Sequence, residues 1–270
     1  MLIESNLKYE KQLTSLWHKV FGDDEGYIKL FFDKLYKASR TFAEFDGEKI
    51  VSAFYLLDCK INFNSHQYSG FYLYAAATDT EYRNRGIMGR LIEQAKKYCR
   101  ENGISFISLV PGSEPLYSYY SKFGFQTAMH KNIVSYNNHE NIPCSIERTD
   151  VKTYFKMRAM HENQSFIWGE KELDYVFACF DYFNIYAYKG NGFLMVADEN
   201  SKTVKELICS EEKLDDALKS ISSFYGGKPF VAETRLNVGK RIPFGMICPI
   251  EPKLERKWSM DDIYMNFALD

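Results

Sequence analysis

The segment EYRNRGIMGRL, residues 81–91, follows an apolar run, GFYLYAAATDT, and opens an amphipathic stretch. Two arginines, two glycines and an asparagine crowd into a single turn. At a helix N-terminus the first backbone N–H groups have no intrahelical partner, and with the helix dipole they make a site for anions. Glycine suits such a turn, because a side chain would hold a phosphate away from the amides and the bend calls for positive φ. Arg83, Asn84, Arg85, Gly86, Ile87, Met88 and Gly89 are therefore candidate phosphate-binding residues. The N–H groups of residues 85–89 would converge on a pyrophosphate, and Arg83 and Arg85 would add charge. The bland alternative is a solvated basic turn that merely starts a helix. The chain has no G-x-x-x-x-G-K-[ST], and no G-x-G-x-x-G follows an early strand; both absences narrow the choice of phosphate ligand.

The elements that would position this turn follow from hydrophobic spacing. Leu13, Leu16, Trp17 and Val20 share one helical face, with Gly22 as the stop, and Tyr27, Leu30, Phe31 and Leu35 repeat the pattern. TFAEFDGEKIVSAFYLL alternates around Asp46-Gly47, which favours a tight hairpin turn. The run YSGFYLYAAAT predicts a central strand. A helix is predicted from Ile87 to about Asn102, ended by Gly103. ISFISLV is the next strand, PLYSYYSKF a short helix stopping at Gly124, and FGFQTAMHKNIVSY further strand. This order gives a mixed α/β (α+β) unit over residues 1–136. A polar, patternless stretch at 137–150 is expected to be a linker. Residues 151–270 then echo the first unit: a helix near 170–180, the strands FLMVADE and TVKELICS, a helix from Glu211, and three more strands.

With this frame in place, the motif resembles a known family. Strand, [RQ]-x-x-G-x-[GA], helix is similar to the acetyl-coenzyme A signature of the GNAT superfamily of N-acetyltransferases. Downstream, residues 113–125 read SEPLYSYYSKFGF, similar to that family's N-x-x-A-x-x-[FY]-Y-x-x-x-G-F. Tyr120, four residues before Gly124, falls on the family's general-acid tyrosine, and Ser113 on its asparagine. Met88 stands where the cradle usually has a second small residue. A bulky residue there is also seen in the enhanced intracellular survival subgroup, whose members carry a second GNAT-like half. The 270 residues leave no room for that subgroup's third domain, so two GNAT-like units are the expectation.

The resemblance implies direct transfer from acetyl-CoA, the acyl donor, to a primary amine, with no metal. Pantetheine would lie along Ala76, Ala77 and Thr78 as an added strand, and a backbone N–H there would steady the oxyanion. Tyr120 would protonate the departing thiolate, for which a phenol is a donor of suitable pKa. In the resembled subgroup the terminal carboxylate serves as base, which here would be Asp270. The other class of reading is a GNAT-fold sensor or scaffold that binds acyl-CoA without turnover.

The second half has no such cradle. Ser210 precedes Glu211, Glu212 and Lys213, so two carboxylates occupy the first turn and would repel a pyrophosphate. This unit is expected to shape the acceptor pocket, through aromatics such as Trp168, Phe180 or Tyr182. The expected acceptor is a small-molecule or peptide amine. A net charge of −2 gives no pull toward nucleic acid or membrane, and it also counts against a transferase that uses charged tRNA. The six cysteines form no C-x-x-C pair, the five histidines show no metal spacing, and no secretory signal or spanning segment is visible. The expectation is a cytoplasmic protein with reduced thiols, Cys99 and Cys179 being buried hydrophobes.

Overall fold

The computed structural model describes residues 1–3, 7–63, 65–139, 144–158, 165–251, 263–265 and 268. Strand β1 (Leu2–Ile3) precedes helices α1 (Leu7–Phe21) and α2 (Glu25–Lys34). Gly22, at φ +75°, ends α1, and the Asp24 carboxylate caps α2 by accepting from the Tyr27 N–H at 3.0 Å. Strands β2 (Arg40–Asp46), β3 (Lys49–Phe63) and β4 (His66–Thr78) form an antiparallel meander. Helix α3 (Ile87–Glu101) returns the chain to β5 (Phe106–Leu109), which runs parallel to β4. Helix α4 (Glu114–Ser121) and strand β6 (Gln126–Tyr136) follow.

The second half begins within the expected linker, with β7 (Glu147–Arg148), and continues with α5 (Val151–Arg158), β8 (Phe166–Trp168) and α6 (Glu170–Phe183). Then come β9 (Ile185–Gly190), β10 (Phe193–Asp198), β11 (Thr203–Cys209), α7 (Leu214–Phe224), β12 (Phe230–Thr234) and β13 (Lys240–Pro249). Strands β9, β10 and β11 form a second antiparallel meander, and β12 runs parallel to β11 after α7. The two halves are thus two versions of one mixed α/β plan.

The halves trade their last strands. In the sheet order β5-β13-β6-β12, strand β13 lies against β5 of the first half, and β6 lies against β12 of the second. One sheet therefore runs through the molecule. Alternate residues of β3 and β4 face opposite sides, as a pleat requires. Tyr55, Leu57, Tyr72 and Tyr74 pack with α1, α2 and α6, whereas Phe54, Leu56, Phe71 and Leu73 pack with α3. A third cluster lies under α7. Among the described residues no helix is long and apolar enough to cross a membrane.

Candidate active site

Strand β4 breaks its ladder where the site begins. Tyr55 opposes Tyr74 but Ala53 opposes Ala77, so β4 carries an extra residue at a bulge, and Ala75 there takes φ +48°. On the other edge, pairing with β5 ends at Tyr72↔Ser108. Beyond that point the two parallel strands part, and among the described residues no strand lies beside the β4 edge from Leu73 onward. A cavity of about 490 Å³ opens in the gap. Ala76 lines it; Ala77 is buried, and its carbonyl accepts from the Ser52 hydroxyl at 2.9 Å. Thr78 pairs its hydroxyl with that same serine at 2.8 Å.

The cradle follows directly. A short turn, Thr80–Tyr82, leads to Asn84 at φ +61° and Gly86 at φ +69°, the residue that caps α3. No side chain caps this helix and no acid occupies its first turn, so the N–H groups of Ile87, Met88 and Gly89 stand open to an anion. Arg83 and Arg85 are exposed and brace the loop through carbonyls, Arg83 Nε to Thr78 at 3.2 Å and Arg85 Nη2 to Glu81 at 2.9 Å. Arg90, which the motif does not single out, donates to the Arg85 carbonyl at 2.9 Å. Met88 points its side chain into the core under α3, so its bulk does not crowd the amides.

Gly89 has a different task from Gly86. A Cβ there would come within 2.7 Å of Phe123 Cε1, so this glycine is the seat for a ring on the turn after α4. The cradle and the tyrosine motif are therefore in contact, which gives a physical reason for the two to occur together. Ser113 is the exposed N-cap of α4, and its side chain makes no cap bond. Of the three tyrosines on α4, Tyr117 donates its hydroxyl to the Phe244 carbonyl at 2.9 Å. Tyr119 packs on Phe123. Tyr120 alone of the three lines the cavity, and burial pushes its phenol well up, so it holds its proton at neutral pH.

Opposite α4 the cavity wall is aromatic: Trp17 and Phe21 from α1, Tyr27 from α2 and Phe183 from α6. Asp23 is the one charged side chain among the described lining residues, and its Oδ2 accepts from Trp17 Nε1 at 2.7 Å. These residues escaped the sequence reading because Trp17 and Tyr27 look like helix core and Asp23 like part of a turn. The second half does reach the site, but through Phe183. Trp168 is buried against Tyr72, Phe180 is buried in the core, and Tyr182 stands at the mouth beside Phe183. Cys99 and Cys179 are buried, and burial pushes their thiols up to about 12.

A second overlooked residue is Asp79, at the end of β4. Its buried carboxylate takes Lys19 at 2.7 Å and Lys49 at 3.0 Å, and accepts from the Glu81 N–H at 3.3 Å. It thereby fixes the turn from which the cradle starts. The signal in the sequence was an Asp directly ahead of a turn. In the second half the equivalent corner is a short turn, Glu211–Lys213, followed by Asp215 and Asp216 in the first turn of α7. These acids occupy the place an anion would need.

Residues 3–128 match the model described as acetyltransferase (GNAT) domain. Among solved structures, a probable N-acyltransferase from Enterococcus faecalis superposes with a TM-score of 0.71 at 16% identity, covering 92% of this chain and 72% of that one. A GCN5-related N-acetyltransferase from Kribbella flavida gives 0.71 at 14%, covering 92% and 70%. Eis1 from Mycobacterium abscessus gives 0.66 at 11%, covering 92% and 73%. A search of curated proteins returns no match. Residues 3–128 thus carry a GNAT acetyltransferase domain, and the solved structures share the fold of nearly the whole chain.

Proposed function

We propose that the chain moves an acetyl group from acetyl-CoA to a primary amine, without a covalent enzyme intermediate. The observation that carries this reading is that Tyr120 opens into the same cavity as the freed edge of β4, the strand that leads directly into an uncapped helix N-terminus. Acetyl-CoA, when bound, supplies the thioester and the pyrophosphate. Arg83, Asn84, Arg85 and Gly86, with the N–H groups of Ile87, Met88 and Gly89, hold the pyrophosphate. Ala76, Ala77 and Thr78 take the pantetheine arm along the open edge, with Ser113 at the start of α4 beside it.

Asp23 faces the entering amine and steadies its ammonium form. The ammonium first releases one proton to solvent; as the carbon–nitrogen bond then forms and the carbon–sulfur bond breaks, the nitrogen gives a second proton to water and Tyr120 Oη delivers one to the sulfur, after which the phenol is reprotonated from solvent. Asp270, the base implied by the family resemblance, lies outside the described residues.

Tyr120→Phe tests the reading. We expect CoA affinity by calorimetry to hold and kcat to fall by about 10²–10⁴-fold, the usual worth of a general acid. A variant that keeps wild-type turnover removes Tyr120 from the mechanism. A wild-type protein that binds CoA but acetylates no amine in a broad panel removes the transferase reading in favour of a sensor.

A further inference from the structure

Three of the six large apolar side chains that stand exposed among the described residues gather at the mouth of the cavity. They are Phe21 at 45% exposure, Tyr182 at 43% and Phe183 at 44%. Phe183 packs on Tyr27 with ring centroids 5.2 Å apart and on Tyr182 at the same distance, and Phe21 lies 6.2 Å from Trp17. Exposed aromatic surface of this kind, in one place and rimmed by polar groups, marks a contact site.

Its polar border is acidic. Asp23, Asp24 and Glu25 follow α1, and Asp181 precedes Tyr182. Asp24 accepts from the Tyr182 hydroxyl and the Tyr27 N–H, and those bonds lower its pKa, so the rim keeps its charge. The neighbouring lysines are engaged elsewhere, Lys19 with Asp79 and Lys29 with Asp33.

The cavity itself has a double duty. About 490 Å³ has to admit both the end of the pantetheine arm and the reacting amine, which leaves room for a narrow stem. We propose that the acceptor amine is a lysine side chain carried on a peptide, with apolar and basic residues beside it. The stem enters past Trp17 and Tyr27 toward Asp23. The peptide stays outside, its apolar side chains on Phe21, Tyr182 and Phe183 and its basic ones against Asp24, Glu25 and Asp181. This deepens the transferase reading above and rests on it.

The test uses the full chain with acetyl-CoA and three probes. Two are hexapeptides with one central lysine and blocked N-termini, the first flanked by Phe and Arg, the second by Ser and Glu. The third is n-butylamine, which carries the stem alone. We expect kcat/KM to favour the first peptide over the second by at least about 30-fold at low salt, through KM, and n-butylamine to be a poor acceptor. Asp181→Lys, an exposed change, should raise KM for the first peptide by roughly tenfold while leaving its kcat and the rate with n-butylamine in place. Tyr182→Ser should act in the same direction. Equal use of both peptides, a preference for n-butylamine, or no response to Asp181→Lys would overturn the proposal while leaving amine acetylation intact. Transfer to none of the probes or to any other amine, with CoA still bound, would instead defeat the transferase reading beneath it.

Discussion

Replacing Asp79 by Asn removes one charge from beneath the cradle. The side chain is 2% exposed and lies between Lys19 and Lys49, which are themselves about half exposed. Hydrogen bonds from Lys19 and then Lys49 hold the Asp79 carboxyl down, from the usual 3.8 to about 2. At 1.36 kcal/mol per unit this corresponds to about 2 kcal/mol of stability at neutral pH, an upper figure because solvent screens the two lysines. The sign follows from the direction of the shift. A carboxyl depressed in the folded state contributes above its unfolded value of 3.8, and the contribution fades as pH falls through about 2. Wild type and variant should therefore differ by roughly 2 kcal/mol at pH 7 and 5, by about 1 at pH 3, and converge near pH 2. Urea unfolding followed by tryptophan fluorescence reads this as a midpoint about 1 M lower for the variant at pH 7, at a typical slope of 2 kcal/mol per molar. An identical midpoint at pH 7 would show that the lysines gain nothing from the carboxylate. A gap that persists undiminished at pH 3 would show that the loss comes from packing instead of charge.

Two further outcomes concern the frame. Gly89→Ala places a methyl 2.7 Å from Phe123 Cε1 and should cost about 1–3 kcal/mol by thermal or urea unfolding, as overpacked sites do. It should also lower kcat, because the ring it displaces sits on the turn that follows Tyr120; a stable variant of full activity would deny that link. A fragment ending at Tyr136 would leave β5 and β6 without β13, and β6 also without β12, so it should aggregate or show no cooperative unfolding by circular dichroism. A monomeric, cooperatively folded fragment would refute the dependence on the exchanged strands.

Local pattern carried much of the fold. The apolar faces of α1, α2 and α3, the Asp46-Gly47 hairpin and the αL residues that end helices are properties of a few neighbouring residues, so they can be read from the sequence. β8 is three residues long and exists only because Cys59, Lys60 and Ile61 offer it an edge. β9, IYAYKG, follows α6 with only Asn184 in αL conformation between them, and the reading passed from one to the next strand without separating it. The exchange of β6 and β13 had no local signature, because a strand's sequence records which face is buried and not which chain segment lies beside it. The site divided in the same way. Residues 83–89 and Tyr120 could be proposed from the sequence because the chemistry asked of them depends on spacing along the chain. Trp17, Asp23, Asp79 and Phe183 acquire their surroundings only when distant elements meet.

The exchanged strands also set a schedule for the chain's synthesis. Strand β5 ends at Leu109, but its partner β13 ends at Pro249. At roughly 5–20 residues per second, a ribosome takes on the order of ten seconds to deliver the second after the first. Throughout that interval the strand beside the future cavity has an open edge, and the nascent domain cannot complete its sheet. The half that carries the candidate cradle thus completes its sheet after the other half, although it is made first.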